Sequence, residues 1–350
     1  MAVNSTRVFY VKRYFHPVFA EILARRPTIT LDKLDNSTPD AEAAPILAKA
    51  HVFSISSARD ELDRRFHADA ALFAKTPELL VVSTTGAGYD TVNVGACTAA
   101  GILAVNQSGG NREAVAEHVI SVMIALSKRI GETDRIMRRQ ANIDRNLFMG
   151  EDIHGKTLGI IGIGNVGSRI AELARGLFAM RVLAYDPYLE AEKISARGAE
   201  KVGLEELLRR SDFVSVNCPL TPETRGMIGA PQYALMQRSA YFITTARGSI
   251  HDEVALADAL ARKAIAGAGL DVWEQEPPAL DNPLLKFDNV IVSPHVAGAT
   301  RQARKNLAMM AAEQIVDILD GKRPPRMLNP EVWPVFAKRF ERTFGFAPEA

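Results

Sequence analysis

The stretch KTLGIIGIGNVGSRIAELARGLF, residues 156–178, limits the possible fold more than any other part of this sequence. An apolar run from Leu158 to Ile163 reads as a strand. Gly162, Gly164 and Gly167 fall in G-x-G-x-x-G spacing, and a helical pattern begins at once. The first glycine permits a tight turn. The second lets backbone approach a pyrophosphate, and the third lets helix and strand pack closely. The helix N-terminus adds free N–H groups and the positive end of a dipole for phosphates. The loop from Gly162 to Gly167, Asn165 and Val166 included, is therefore the expected cradle of a dinucleotide. A second strand, RVLAY, leads to Asp186, 19 residues beyond Gly167. That is the offset of a carboxylate that bonds the ribose hydroxyls. A carboxylate there repels a 2′-phosphate, so NAD is expected over NADP.

Strands and helices alternate along the whole chain, the pattern of an α/β protein. Residues 7 to 105 carry four short strands, RVFYV, HVFSIS, LLVVST and ILAV. From 158 onward six strands are expected, at 158–163, 181–185, 213–217, 240–245, 267–271 and 290–293, as in a complete dinucleotide-binding domain. Between the two regions, REAVAEHVISVMIALSKRI is helical and apolar nearly all round, which suits burial between domains or subunits. Residues 131–154 are polar and basic, and read as an arm. A last helix spans about 300–320 and ends at Gly321, with a turn-rich tail, KRPPRMLNP, beyond it.

Composition closes off several function classes. With 42 basic and 41 acidic residues, nothing points to nucleic acid or an anionic membrane. Cys97 and Cys218 sit in apolar contexts and read as buried free thiols, which fits a reducing, cytoplasmic compartment. No Cys pair or His cluster suggests a metal. No apolar run is long enough to span a membrane, and the N-terminus lacks a signal-peptide core.

Three ionisable residues each stand just past an apolar run. Arg247 follows AYFITTA, Glu276 ends AGAGLDVWEQE, and His295 follows NVIVSP. In an open parallel sheet, ligands bind beyond the carboxyl ends of the strands. Hydride transfer to and from a 2-hydroxy acid needs a clamp for the substrate carboxylate, which a planar arginine supplies with paired hydrogen bonds. It needs an acid/base that titrates near neutrality, which suits histidine. It also needs a carboxylate to orient and charge-stabilise that imidazole. Arg247, His295 and Glu276 are the right types. His118, on the long apolar helix, reads as a core residue and His251 as a helix-start residue. Only His295 closes a strand beside a second glycine loop, VAGAT, which contains Gly298.

Taken together, GIGNVG, NCPLTPETRGMIG, TARGSIHDEVALADAL, GLDVWEQEPP and VSPHVAGAT resemble the D-isomer-specific 2-hydroxyacid dehydrogenases over roughly residues 50–328. The resemblance implies Arg247 as substrate-orienting residue, Glu276 as the histidine's partner and His295 as general acid/base. It implies that Asp271 approaches the nicotinamide carboxamide, that Cys218 and Pro219 line the adenine side, and that Thr245 and Ala246 touch the nicotinamide ribose. Thr85, Gly86 and Ala87, in TTGAGYD, resemble the loop whose N–H groups bind the substrate carboxylate. The implied fold is a six-stranded Rossmann NAD-binding domain (108–299) inserted into a smaller flavodoxin-like α/β substrate domain (1–107 with 300–350). The long helix and arm would form a homodimer.

Departures bear on the substrate. Relatives acting on 3-phosphoglycerate tend to carry arginines where Ser56 and Thr84 stand here, although Arg59 and Arg112 are nearby in sequence. The arm has ANIDRNLF where relatives commonly have a tryptophan. A length of 350 residues leaves little room for an appended regulatory domain. The expectation is an NAD-dependent 2-ketoacid reductase. The alternatives are a 3-phosphoglycerate dehydrogenase, a phosphonate dehydrogenase with the same three residues, and a non-enzymatic NADH-sensing corepressor. Formate dehydrogenases carry glutamine in place of Glu276.

Overall fold

Short Val-, Ile- and Leu-rich strands separated by helices build two parallel sheets, each buried on both faces. The computed structural model describes residues 5–349. They divide into two units. One is the chain up to Asn111 together with everything from Arg301 on; the other is Arg112–Thr300.

The first unit holds β1 (Thr6–Val11), β2 (Ile29–Leu34), β3 (Val52–Ile55), β4 (Val81–Thr84) and β5 (Leu103–Val105) in the order β2-β1-β3-β4-β5. That is the flavodoxin-like order. Successive side chains leave opposite faces of a strand. Val8, Val52, Val81 and Leu103 thus pack under the C-terminal helices Arg301–Leu319 and Trp333–Phe344, while Phe9, Phe53, Val82 and Ala104 feed the opposite core. The sheet has five strands rather than the expected four. The extra one, β2, is an edge strand with Asp32 and Lys33 in it, so its hydrophobic signal is diluted. Arg7 of β1 holds it through a paired salt bridge to Asp32, both contacts at 2.8 Å. A further helix, Trp333–Phe344, follows the turn-rich KRPPRMLNP segment and is not expected from the sequence; its Phe336 and Phe340 are buried.

The second unit holds β6 (Thr157–Ile161), β7 (Arg181–Tyr185), β8 (Glu200–Lys201), β9 (Phe213–Val216), β10 (Tyr241–Thr244), β11 (Gly267–Leu270) and β12 (Val290–Val292). The order is β12-β11-β10-β9-β6-β7-β8, doubly wound with its switch point between β6 and β9. The α/β Rossmann class stands, but the sheet has seven strands, not six. The added β8 is two exposed charged residues at the sheet edge, too short and too polar to carry a strand pattern. The apolar helix spans Arg112–Ser127 and stops there, because Arg129 adopts a left-handed backbone (φ 53°). A separate short helix, Ile130–Met137, begins the exposed arm, and none of its residues is buried. Among the described residues, no helix is long and apolar enough to cross a membrane.

Candidate active site

The fingerprint folds as its glycines require. Gly162 adopts φ 86°, and a side chain there would lie 2.8 Å from the backbone of Cys218. A Cβ on Gly167 would sit 2.4 Å from the carbonyl oxygen of Gly162. Gly164, by contrast, faces open space at the N-terminus of the 14-residue helix Asn165–Phe178. The cradle is thus closed toward the protein and open where a pyrophosphate would approach. Asp186 follows β7 and is tied to the same loop: its carboxylate accepts from the Ile163 N–H at 3.2 Å and the Tyr188 N–H at 3.1 Å. The Arg197 guanidinium donates to the Ile163 carbonyl, so both polar groups of that residue are clamped from outside the loop. Arg197 carries no motif, and no sequence pattern marks it.

Cys218 and Pro219 follow β9, against Gly162. Cys97 is buried, but Cys218 is only partly buried and not fully so as its apolar context suggests, because it stands just past the end of β9 at the open edge of the sheet. Burial still pushes its thiol up to about 11, so it is not a thiolate near neutrality.

Thr245, Ala246 and Arg247 follow β10. The Arg247 guanidinium donates to the Ala246 carbonyl at 2.6 Å. The turn that carries it depends on Gly248, where a Cβ would fall 1.9 Å from the carbonyl carbon of Trp273. Close backbone contact thus sets Arg247 beside the segment after β11. That segment holds Asp271, which is 1% exposed, and Glu276. The Trp273 N–H donates to Glu276 Oε1 at 3.1 Å, leaving Oε2 to meet His295 Nδ1 at 2.8 Å. Trp273 is absent from the sequence reading; it is one of only two tryptophans and stands directly after a strand, which is the one signal it offers.

His295 occupies the left-handed region, φ 53°, a conformation that costs a non-glycine residue on the order of 1–2 kcal/mol. Bonds from its neighbours hold it there: its own N–H donates to the Asp271 carbonyl at 2.7 Å, and the Val296 and Ala297 N–H groups donate to the Asp271 carboxylate at 2.8 and 2.9 Å. The imidazole pKa is raised, first by the hydrogen bond to Glu276; burial and the Arg247 charge oppose that rise. The side chains of His295 and Glu276 are 38% and 27% exposed. With Nδ1 committed to Glu276, Nε2 is the nitrogen left to face a substrate. Gly298 lies in the turn that closes this segment, between Ala297 and Ala299.

The fingerprint loop, Asp186, Cys218–Pro219, Thr245–Arg247, Asp271, Glu276 and His295–Gly298 thus share one edge of the second unit, the carboxyl ends of its strands. Thr85, Gly86 and Ala87 belong to the first unit, at the carboxyl end of β4. There the carbonyls of Gly86 and Ala87 accept from the Gln107 N–H at 3.0 Å and the Asn106 amide at 2.8 Å. His251 is not a helix-start residue: Asp252 caps the helix Glu253–Ala261, and His251 is 3% exposed in the core beneath it.

Residues 120–297 match the model of the D-isomer specific 2-hydroxyacid dehydrogenase, NAD binding domain. A glyoxylate reductase of Korarchaeum cryptofilum is 40% identical over 267 residues, covering 75% of this chain and 80% of that protein. The chain belongs to the D-isomer specific 2-hydroxyacid dehydrogenase family. A D-3-phosphoglycerate dehydrogenase of Archaeoglobus fulgidus is 41% identical over 253 residues, or 72% of this chain. The chain spans about half the length of that relative (48%). Among solved structures, a D-lactate dehydrogenase of Aquifex aeolicus, complexed with NAD and lactic acid, superposes with a TM-score of 0.76 at 28% identity, covering 90% of this chain and 96% of that one. The second unit is accordingly an NAD-binding domain of this dehydrogenase family, and the open cradle at Gly164 and the carboxylate of Asp186 suit that cofactor.

Proposed function

We propose that this protein is a 2-ketoacid reductase, an NAD-dependent D-2-hydroxyacid dehydrogenase that takes small 2-keto acids. The observation that carries the reading is the 2.8 Å bond between His295 Nδ1 and Glu276 Oε2 beside Arg247. When bound, NADH supplies the hydride that reduces the substrate carbonyl. Arg247 pairs with the substrate carboxylate and fixes which face of the ketone is presented. His295 Nε2–H donates to the ketone oxygen and delivers its proton as that oxygen becomes an alkoxide. Glu276 stabilises the imidazolium before the transfer and keeps the ring oriented after it. In the oxidative direction, neutral Nε2 removes the hydroxyl proton. In the first unit the Thr85 N–H already donates to the Ile55 carbonyl at 2.9 Å, so within the TTGAGYD loop the N–H groups of Gly86 and Ala87 are the donors proposed for a carboxylate.

The family likeness alone leaves phosphoglycerate as a second substrate, since the Archaeoglobus relative carries that name. The first unit argues against it. The Ser56 hydroxyl donates to the Glu61 carboxylate at 3.0 Å, and Thr84 is buried and donates to the Gly86 carbonyl at 2.7 Å. Neither supplies a cation for a phosphate. Arg59, in the first unit, donates through Nε to the Asp90 carbonyl, and Arg112, in the second, pairs through Nε with Glu113. We also read the protein as a cytoplasmic homodimer built on the helix Arg112–Ser127 and the arm, because Ile130, Met137, Leu147 and Met149 are exposed apolar residues in one continuous segment.

The test is loss of NADH absorbance with glyoxylate, hydroxypyruvate, phosphohydroxypyruvate and pyruvate, and gain of it with phosphite, repeated with NADP(H). Turnover of glyoxylate or hydroxypyruvate with NADH supports the reading. Phosphohydroxypyruvate preferred by more than about tenfold, roughly 1.4 kcal/mol of transition-state binding, overturns the substrate assignment. No turnover of any keto acid leaves the corepressor alternative.

A further inference from the structure

Four donors of the segment Ser293–Ala297 converge on one residue, Asp271. Besides the three backbone N–H groups described above, the Ser293 hydroxyl donates to Asp271 Oδ1 at 2.6 Å. A serine hydroxyl has one proton. With that proton on the carboxylate, the oxygen must accept from its other neighbour, Nε2 of His118, at 3.3 Å. The contact therefore selects an Nε2–H form of His118, on the helix Arg112–Ser127. The Ser293 backbone is fixed independently: its N–H donates to the Leu270 carbonyl at 2.9 Å and its carbonyl accepts from Trp273 Nε1 at 3.1 Å. Only the side-chain rotor is left to set, and the two bonds set it.

We propose that Ser293, held by His118, is a positioning residue that aims the left-handed His295 turn at Glu276. The proposal rests on the acid–base reading of His295. A buried carboxylate needs its donors. Without the hydroxyl, Asp271 Oδ1 keeps the Val296 N–H and Oδ2 the Ala297 N–H, but the carboxylate loses one of its three donors and holds the turn less tightly. The turn it anchors then loses its fixed distance to Glu276. Neither Ser293 nor His118 touches a reacting atom; they act through Asp271.

The experiment uses the full chain and the variants Ser293→Ala, Ser293→Thr, His118→Phe, His118→Gln and the double Ser293→Ala/His118→Phe. Three quantities are read: kcat with the best 2-keto acid, NADH affinity by fluorescence, and the His295 imidazole titration by NMR without substrate. Ser293→Ala is expected to lower kcat about tenfold at unchanged folded fraction, with NADH affinity within about threefold. The His295 titration should fall toward that of an ordinary imidazole as the Glu276 bond loosens, while Arg247 and Asp271 remain around it. Ser293→Thr and His118→Gln keep a hydroxyl and an N–H donor at the same places and should restore both readouts. The double variant should be no worse than Ser293→Ala, because the two residues act as one unit.

Wild-type kcat and an unmoved His295 titration in Ser293→Ala overturn the proposal, even if the melting temperature falls. If that variant does not fold, His118→Phe is read by the same criteria. The NMR readout needs no turnover, so failure of the proposed activity in the wild type stays distinguishable from failure of the relay.

Discussion

The turns that follow β10 and β12 each carry a histidine and treat it in opposite ways. His295 is 38% exposed at its side chain and tied through Nδ1 to a carboxylate, and its pKa is raised. His251 is 3% exposed, with its ring tilted against that of Phe242 at 5.5 Å between centroids and no hydrogen-bond partner on either ring nitrogen among the described residues; burial pushes it down to about 4. His251 stands only four positions after Arg247, so proximity to the site does not distinguish the two rings. A partner carboxylate and access from outside do. A histidine that stays uncharged near neutrality cannot deliver a proton to an alkoxide as an imidazolium. Its place in the core is that of an aromatic ring.

The comparison breaks most visibly in rate. His295→Asn should lower kcat for keto-acid reduction by on the order of 10²–10⁴, with NADH affinity little changed. His251→Phe, assayed beside it, should leave kcat near that of the wild type. Comparable losses in the two variants would erase the distinction.

Stability against pH sharpens it. The folded-state pKa of His251 lies below that of the unfolded chain, so below about 6.5 the unfolded chain binds the proton first. Stability is lost as pH falls from about 6.5 toward 4, by at most roughly 3 kcal/mol for this one group. His295 has the opposite sign. Its raised pKa contributes stability that is full below about 6.5 and fades as pH rises through the folded-state value. Urea unfolding of wild type and His251→Leu from pH 8 to pH 4.5 reads the first effect: the variant should lose less stability on acidification. Parallel curves would mean that His251 is solvated or paired.

A smaller effect belongs to the charge that opposes His295. Arg247→Lys keeps the cation but loses the planar fork. It should cost about tenfold in kcat/KM, mainly through KM for the keto acid. A kcat loss as large as that of His295→Asn would place Arg247 in the proton transfer instead of the clamp.

Much of this site is legible in the sequence because each of its parts follows a strand. Gly162, Gly164, Gly167 and Asp186 announce themselves by spacing, and Arg247, Glu276 and His295 by standing just past apolar runs. What is missed has no local pattern. Arg197 reaches the fingerprint loop from the end of a short helix. His118 meets Ser293 across 175 residues of sequence, a contact that only the packing of the Arg112–Ser127 helix creates. The strands β2 and β8 escape notice because edge strands are partly solvated and keep polar residues. His251 misleads for the converse reason: it stands beside a helix cap, yet its ring is in the core.

Glu276 charges and holds His295. Reduction needs the imidazole protonated and oxidation needs it neutral, so a raised pKa carries the reductive reaction to higher pH. Glu276→Gln keeps a hydrogen-bonding side chain but removes the charge. The measurement is the pH dependence of kcat/KM in both directions, for wild type and Glu276→Gln, with chemistry rate-limiting. The reductive limb of the variant should move to lower pH, and the oxidative limb should move with it. Profiles that coincide for the two proteins would contradict the pairing and, with it, the assignment of the site.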